Sequence, residues 1–162
     1  YYGDEAGMEG YRDPMNRGTY PWDREDQSMI EWYRKLIRLR NHTDELKKGE
    51  YIPALHGGGM YGFLRQIDHN RDVFGEFAEN GILLVLVNRK DEARNVTVRL
   101  PEHTATCLAD GLSRDVLNGE REYRPDAGGC LFLSLEPFGG AILEAIPAIP
   151  AGRRSAAGGR SS

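Results

Sequence analysis

The residue types best suited to chemistry crowd into the first 25 positions. Asp4 and Glu5 are adjacent carboxylates, Asp13 and Arg17 stand four apart around Pro14, and Tyr1, Tyr2, Tyr11, Tyr20 and Trp22 supply aromatic rings. Cleaving a glycosidic bond needs two carboxylates, about 5 Å apart for retention and farther apart for inversion. Sequence neighbours on a loop or strand point in different directions, so Asp4 and Glu5 are expected to serve loop hydrogen bonding rather than to face one substrate bond. Asp13 and Arg17 offer a different chemistry. Proline stiffens the turn between them, and a carboxylate beside a guanidinium accepts from one sugar hydroxyl while donating to the next. The same spacing also suits a plain loop salt bridge, and taken alone it favours that use. The aromatic rings match the apolar C–H faces of sugars, although each singly fits ordinary packing as well.

Other chemistries find little support. His42, His56, His69 and His103 show no HxxxH or HExxH spacing and no paired cysteines beside them, so no metal site is expected. GxSxG, GxxxxGKS/T and GxGxxG are all absent, which leaves acyl transfer, P-loop and dinucleotide readings without a motif. The net charge of -4 is spread over interspersed signs, with no basic stripe to neutralise a phosphate backbone. No apolar run approaches the roughly 18 residues that span a bilayer. Neither nucleic acid nor a membrane is therefore expected as a partner, and the oligomeric state is open. Cys107 and Cys130 lie on apolar, strand-like segments, where cysteine usually serves as a small buried hydrophobe without a disulfide. The chain opens on Tyr1, in a segment that reads like a strand entering a loop. The natural N-terminus is expected upstream, and a cytoplasmic setting is favoured over a secreted one.

The elements that must position these residues follow from pattern. Residues 1–25 are rich in Gly, Pro, Asp, Asn and Tyr without a sustained period, which predicts a long ordered loop of the kind that carries function. From about Asp26, Met29, Ile30, Tyr33, Leu36 and Ile37 follow helical spacing, while Glu31, Arg34, Lys35 and Arg38 take the other face. This predicts a helix ending near Arg40, then a short helical turn over 43–48 stopped by Gly49. Strands are predicted at 51–56, 60–66, 82–88, 95–100, 104–109, 130–135 and 141–146. Turns separate them, among them 69–72, Asn80-Gly81, Asn118-Gly119 and a flexible Gly57-Gly58-Gly59. Val96, Val98 and Leu100 alternate with polar residues, as one wet face requires, whereas 82–87 is apolar on both faces and belongs at the centre of a sheet. Short strands over roughly 100 residues predict a sandwich. Residues 151–162 cannot bury apolar surface and are predicted to form an unstructured tail. At 162 residues the chain is too short for a complete (β/α)8 barrel, which needs roughly 250.

The opening YYGDEAGMEGYRDPMNRGTYPW resembles the end of the eighth barrel strand and the following loop of alpha-amylase-family glycoside hydrolases. It is most like the neopullulanase, cyclomaltodextrinase and maltogenic-amylase branch. The matching pieces are YYGDE at 1–5, DPMNR at 13–17 and Pro21-Trp22. WYRKLIRLR at 32–40 looks like the last barrel helix, and VLVNR at 85–89 resembles the central strand of the family's sandwich. The resemblance covers about residues 1–146. It implies an α+β fold in which residues 1–48 are the end of a (β/α)8 barrel (last strand, loop and helix). An antiparallel β-sandwich domain would follow at 49–147 and a disordered tail at 148–162. It also implies that Asp13 and Arg17 hydrogen-bond a glucose unit, and that the partner is an α-glucan oligosaccharide or polysaccharide such as starch, maltodextrin or cyclodextrin. The intact parent would cleave α-glucosidic bonds with retention, through a covalent glycosyl-enzyme intermediate. The family's catalytic carboxylates lie upstream of Tyr1, so this chain is expected to contribute sugar-binding residues, no catalytic ones, and no activity by itself. No cofactor is evident in the chain, and the family's usual calcium ligands also lie mostly upstream. The alternative is a non-catalytic β-sandwich that binds glycans or mediates oligomerisation, and a further one is that the parent transfers glucosyl units instead of hydrolysing them.

Overall fold

A computed structural model describes residues 2–101, 112–119 and 121–146. The predicted strand at 104–109, with His103 and Cys107, and the tail from 148 onward lie outside the described residues. The chain divides between Lys47 and Lys48 into two compact units.

The first unit begins with the loop. Gly3 and Gly7 take positive φ angles of 84° and 73° and bracket one 3-10 turn, Asp4–Ala6, in a segment whose composition shows no regular element. A Cβ at Gly3 would collide with the Met8 sulfur, so the glycine lets Met8 fold back over the turn. Ala6 is buried, and its carbonyl accepts from the Asp26 N–H at 3.0 Å, which ties the turn to the start of helix α1 (Gln27–His42). Asp26 is the N-cap. Its Oδ1 accepts from the Ser28 N–H at 3.0 Å and the Met29 N–H at 3.1 Å, satisfying donors that the first helical turn leaves open. Arg40 and His42 occupy the last turn, where positive charge complements the carbonyl end of the helix dipole. A second short helix, α2 (Asp44–Lys48), runs up to the buried Gly49. No residue of α1 is buried. Ile30, Tyr33, Leu36 and Leu39 form a half-covered row, while Met29 and Ile37, predicted on the apolar face, stand exposed beside it.

The second unit is almost entirely antiparallel sheet. Strands β1 (Glu50–Gly57), β2 (Met60–Ile67) and β3 (Gly81–Asn88) form a meander. Then come β4 (Arg94–Arg99), β5 (Leu112–Asp115), β6 (Glu122–Tyr123), β7 (Cys130–Leu135) and β8 (Gly140–Ile146). Six of them order as β1-β2-β3-β8-β5-β6, and β4 pairs with β7 in a second sheet. The β1–β2 connection turns on Gly58 and Gly59, both at positive φ (58° and 83°), as a two-residue hairpin requires.

One apolar cluster joins the two sheets. The six-stranded sheet gives Leu64, Leu84, Leu86 and Leu143, and the two-stranded sheet gives Val96, Val98, Leu131 and Leu133. Alternation on β4 and β7 sends every second residue inward and leaves Thr97, Arg99 and Phe132 outside. On β2, Gly62 takes an inward position where a Cβ would come within 2.6 Å of Leu86 Cδ2 and 3.2 Å of Leu55 Cβ, so its missing side chain lets β1 and β3 close over it. Asn88, at 1% exposure, is a polar member of this interior. Its Nδ2 donates to the carbonyls of Glu92 and Glu136 at 2.8 and 2.9 Å, and its Oδ1 accepts from the Lys90 N–H at 2.9 Å. Cys130 carries a free thiol and is half-buried, more open than the buried position expected from its apolar surroundings, because it stands at the first residue of β7.

Candidate functional site

The loop of the first unit brings Asp13 and Arg17 together. The Asp13–Pro14 peptide is cis, the Met15 N–H donates to the Arg12 carbonyl at 2.9 Å, and the Arg17 N–H donates to the Pro14 carbonyl at 3.1 Å. These successive turns return the chain so that Arg17 Nε lies 2.7 Å from Asp13 Oδ1. Both side chains face solvent, at 72% and 61% exposure. An ion pair so exposed contributes less than about 1 kcal/mol to stability, so the fold does not depend on it. The pairing uses Nε, and a guanidinium carries five N–H donors in all, more than one carboxylate oxygen takes up.

Around the pair the loop is braced by its own contacts. The Tyr2 hydroxyl donates to the Gly18 carbonyl, closing the loop across its width. The Tyr11 hydroxyl donates to Glu9 Oε2 at 3.3 Å. Tyr20 and Trp22 meet in a tilted contact, 4.7 Å between centroids and 54° between planes. Partial desolvation, followed by the nearby carboxylates of Glu5 and Glu25, raises the Tyr20 hydroxyl above its ordinary pKa. Tyr2, Tyr11 and Trp22 are exposed, so these rings are surface for a partner more than they are core.

A small cleft of about 230 Å³ opens in the same loop, lined by Tyr2, Asp4, Met8, Glu9, Tyr11 and Asn16. The Asn16 Oδ1 is enclosed and accepts from no donor among the described residues, which marks an unused acceptor beside the Asp13–Arg17 pair. Spacing alone singled out positions 13 and 17 and not Asn16; the signal available was its place between Pro14 and Arg17 in a turn-rich stretch.

Asp4 and Glu5 sit in the 3-10 turn, where adjacent side chains diverge by about 120°. Asp4 is exposed and Glu5 half-buried, and the turn does not aim them as a pair. Among the described residues, no three His, Cys, Asp or Glu side chains gather closely enough to hold a metal ion. His56 and His69 are exposed on the second unit, and His42 Nδ1 lies 2.8 Å from the Arg38 carbonyl. No helix among the described residues is long and apolar enough to cross a membrane.

No protein-family model matches the chain. It is similar to an amylopullulanase from Thermoanaerobacter thermohydrosulfuricus, 34% identical over 144 residues, which covers 88% of this chain and 9% of that protein. It is also similar to neopullulanase 2 from Thermoactinomyces vulgaris, 29% identical over 148 residues, covering 88% of this chain and 22% of that one. Among solved structures, the alpha-amylase of Geobacillus thermoleovorans in complex with acarbose superposes with a TM-score of 0.71 at 22% identity, covering 92% of this chain and 29% of that one. The chain thus spans between about a tenth and a quarter of the length of the curated relatives named here. In sequence and in fold the chain is thus similar to alpha-amylase-type enzymes, matching one segment of those longer proteins.

Proposed function

We propose that the chain is the sugar-holding portion of a glycoside hydrolase that acts on α-glucans, with Asp13 and Arg17 as the residues that grip a glucose unit. In this reading residues 1–48 end a (β/α)8 barrel, residues 49–147 are its β-sandwich, and the paired carboxylates that break the bond lie outside these 162 residues. The observation that carries it is the 2.7 Å Asp13–Arg17 pair, exposed on a loop held by its own hydrogen bonds. Asp13 accepts from one sugar hydroxyl and Arg17 donates to its neighbour, and each charge-assisted hydrogen bond contributes about 1.5–3 kcal/mol. Exposed Tyr2, Tyr11 and Trp22 offer ring faces to the C–H surface of the sugar.

Two further features support the reading. The apolar row of α1 stays half open, which suits a helix whose natural neighbour is the outer wall of a barrel. The similar alpha-amylase carries acarbose, and the similar curated proteins are named for pullulan. In the intact protein the reaction would be retaining cleavage of an α-glucosidic bond. The test is to incubate the 162-residue chain with maltodextrin and with cyclodextrin, assaying reducing ends and bound sugar together. Binding that Asp13→Ala weakens about tenfold, the scale of one charged hydrogen bond, with no reducing ends released, is the expected result. Release of reducing sugar by this chain would overturn the placement of the carboxylates elsewhere.

A further inference from the structure

Two Asn–Gly steps stand in connections of the sheet unit, Asn80–Gly81 at the start of β3 and Asn118–Gly119 after β5. An asparagine followed by glycine carries its own reaction. The glycine nitrogen, unhindered because the residue has no Cβ, attacks Cγ of the asparagine side chain and expels ammonia, closing a succinimide ring. Water then opens the ring to aspartate or isoaspartate, so an amide becomes a carboxylate and the chain gains a negative charge. Asparagine is thermolabile for this reason. Asn118 and Gly119 are exposed, and Gly119 takes a φ of 93° with open space where a Cβ would stand. Water reaches this step, and the glycine is free to turn into the ring geometry.

The two amides differ in which atom holds the fold. Asn80 acts through its oxygen, which accepts from the Asn70 N–H at 2.6 Å. A carboxylate in its place keeps that acceptor. Asn118 acts through its nitrogen. Its Nδ2 donates to Asp115 Oδ2 at 2.9 Å and to the Gly140 carbonyl at 2.7 Å. Asp115, at 2% exposure, ends β5, and its Oδ1 accepts from the Leu117, Asn118 and Ile142 N–H groups at 2.9, 3.2 and 3.3 Å. The Asn118 amide thus supplies a donor to a buried carboxylate and fastens the turn after β5 to the first residue of β8. A carboxylate at position 118 removes both donors. It also sets a second anion against Asp115 and a carbonyl oxygen, and two carboxylates that close repel each other while both are ionised.

We propose that Asn118 is a self-modification site whose conversion to a carboxylate releases the edge of the six-stranded sheet in one direction. The folded turn holds the amide by two hydrogen bonds, so cyclisation proceeds from the locally opened state. Once the ring is hydrolysed, the turn closes only against repulsion, and the opening equilibrium stays shifted. β5 carries β6 and pairs with β8, so the released element is the β5–β6 ribbon. β8 then becomes the new edge, with backbone donors and carbonyls open to other strands. The change is covalent, so refolding does not reverse it. Conversion of Asn80 leaves the sheet intact, and neither Asp13 nor Arg17 takes part in either event.

The test is to hold the folded 162-residue chain in mildly alkaline buffer and to separate the products by anion exchange, since each event adds negative charge. Peptide mapping assigns the altered residue, and backbone hydrogen exchange is read at Leu112–Asp115 and Glu122–Tyr123 in each product. The species altered at Asn118 is expected to exchange there about tenfold faster, the scale of one lost buried hydrogen bond. The species altered at Asn80 keeps the protection of the unaltered chain. Both species arise from folded protein, so the result does not depend on a variant folding. Asp115→Asn combined with Asn118→Asp restores an amide facing a carboxylate with the roles exchanged, and is expected to recover part of the protection that Asn118→Asp alone loses. Unchanged exchange in the species altered at Asn118 would overturn the proposal, and so would an equal loss in the species altered at Asn80. It is also overturned if Asn118 stays an amide under conditions that convert it in the urea-unfolded chain and convert Asn80 in the folded one.

Discussion

Arg17 Nε sits 2.7 Å from Asp13 Oδ1, four residues back along a turn that contains a cis Asp13–Pro14 peptide, and both side chains stand in solvent. Exposure separates what this pair does for the fold from what it offers a ligand. Asp13→Ala is predicted to change stability by less than about 1 kcal/mol, leaving the melting temperature nearly unmoved by calorimetry. A large drop would mean that the pair is a structural brace.

Asn88 is the opposite case. It is buried and bonds three backbone groups from two connections, Lys90 and Glu92 after β3 and Glu136 after β7. Asn88→Ala removes all three hydrogen bonds from the junction of the β3–β4 and β7–β8 connections. It is predicted to cost about 3 kcal/mol and to lower the melting temperature by roughly 10 °C, whereas Asn88→Asp, which keeps the acceptor and loses the donors, should recover only part of this.

The N-cap of α1 links pH to helix content. The Ser28 hydroxyl, aided by the Met29 N–H, holds the Asp26 carboxyl below its ordinary pKa. A lowered folded-state value stabilises the protein above the unfolded pKa of about 3.9, and that contribution disappears as pH falls through the lowered value. Circular dichroism should show α1 fraying in that acid range. Asp26→Asn, which caps without titrating, should remove that component of the acid transition.

Tyr51 and Tyr61 give a second titration. The hydrogen bond with the Tyr61 hydroxyl raises the Tyr51 pKa above its ordinary value of about 10. A raised value means that stability from this pair is present below the unfolded pKa and is lost as pH rises through the folded one. Ultraviolet titration of Tyr61→Phe should show Tyr51 ionising at lower pH than in the unaltered chain. An unchanged Tyr51 curve would mean that the two hydroxyls do not meet.

Much of this architecture is written locally. Asp26 followed by helical spacing marks α1, alternation at Val96 and Val98 marks β4, and the all-apolar 82–87 run sits third of six strands, flanked on both sides. β5 and β6 are missing from the sequence reading because Arg114, Asp115 and Glu122 break any apolar alternation, and their pairing is set by β8 rather than by their own composition. The Asp13–Arg17 pair was legible because four residues and a proline bring two charges round one turn. The tie from Asn118 to Asp115 and Gly140 was not, since it depends on the β5–β8 register. That register is not visible in a linear reading.

The central claim, that Asp13 and Arg17 grip a glucose unit, is tested most directly at the Arg17 side chain. Its Nε–H resonance, assigned by its loss in Arg17→Lys, should move progressively as maltotriose is added and should stay fixed with the same sugar in Asp13→Ala. An Nε–H signal that does not move under saturating maltotriose, in a chain whose loop amides show it to be folded, would contradict the account.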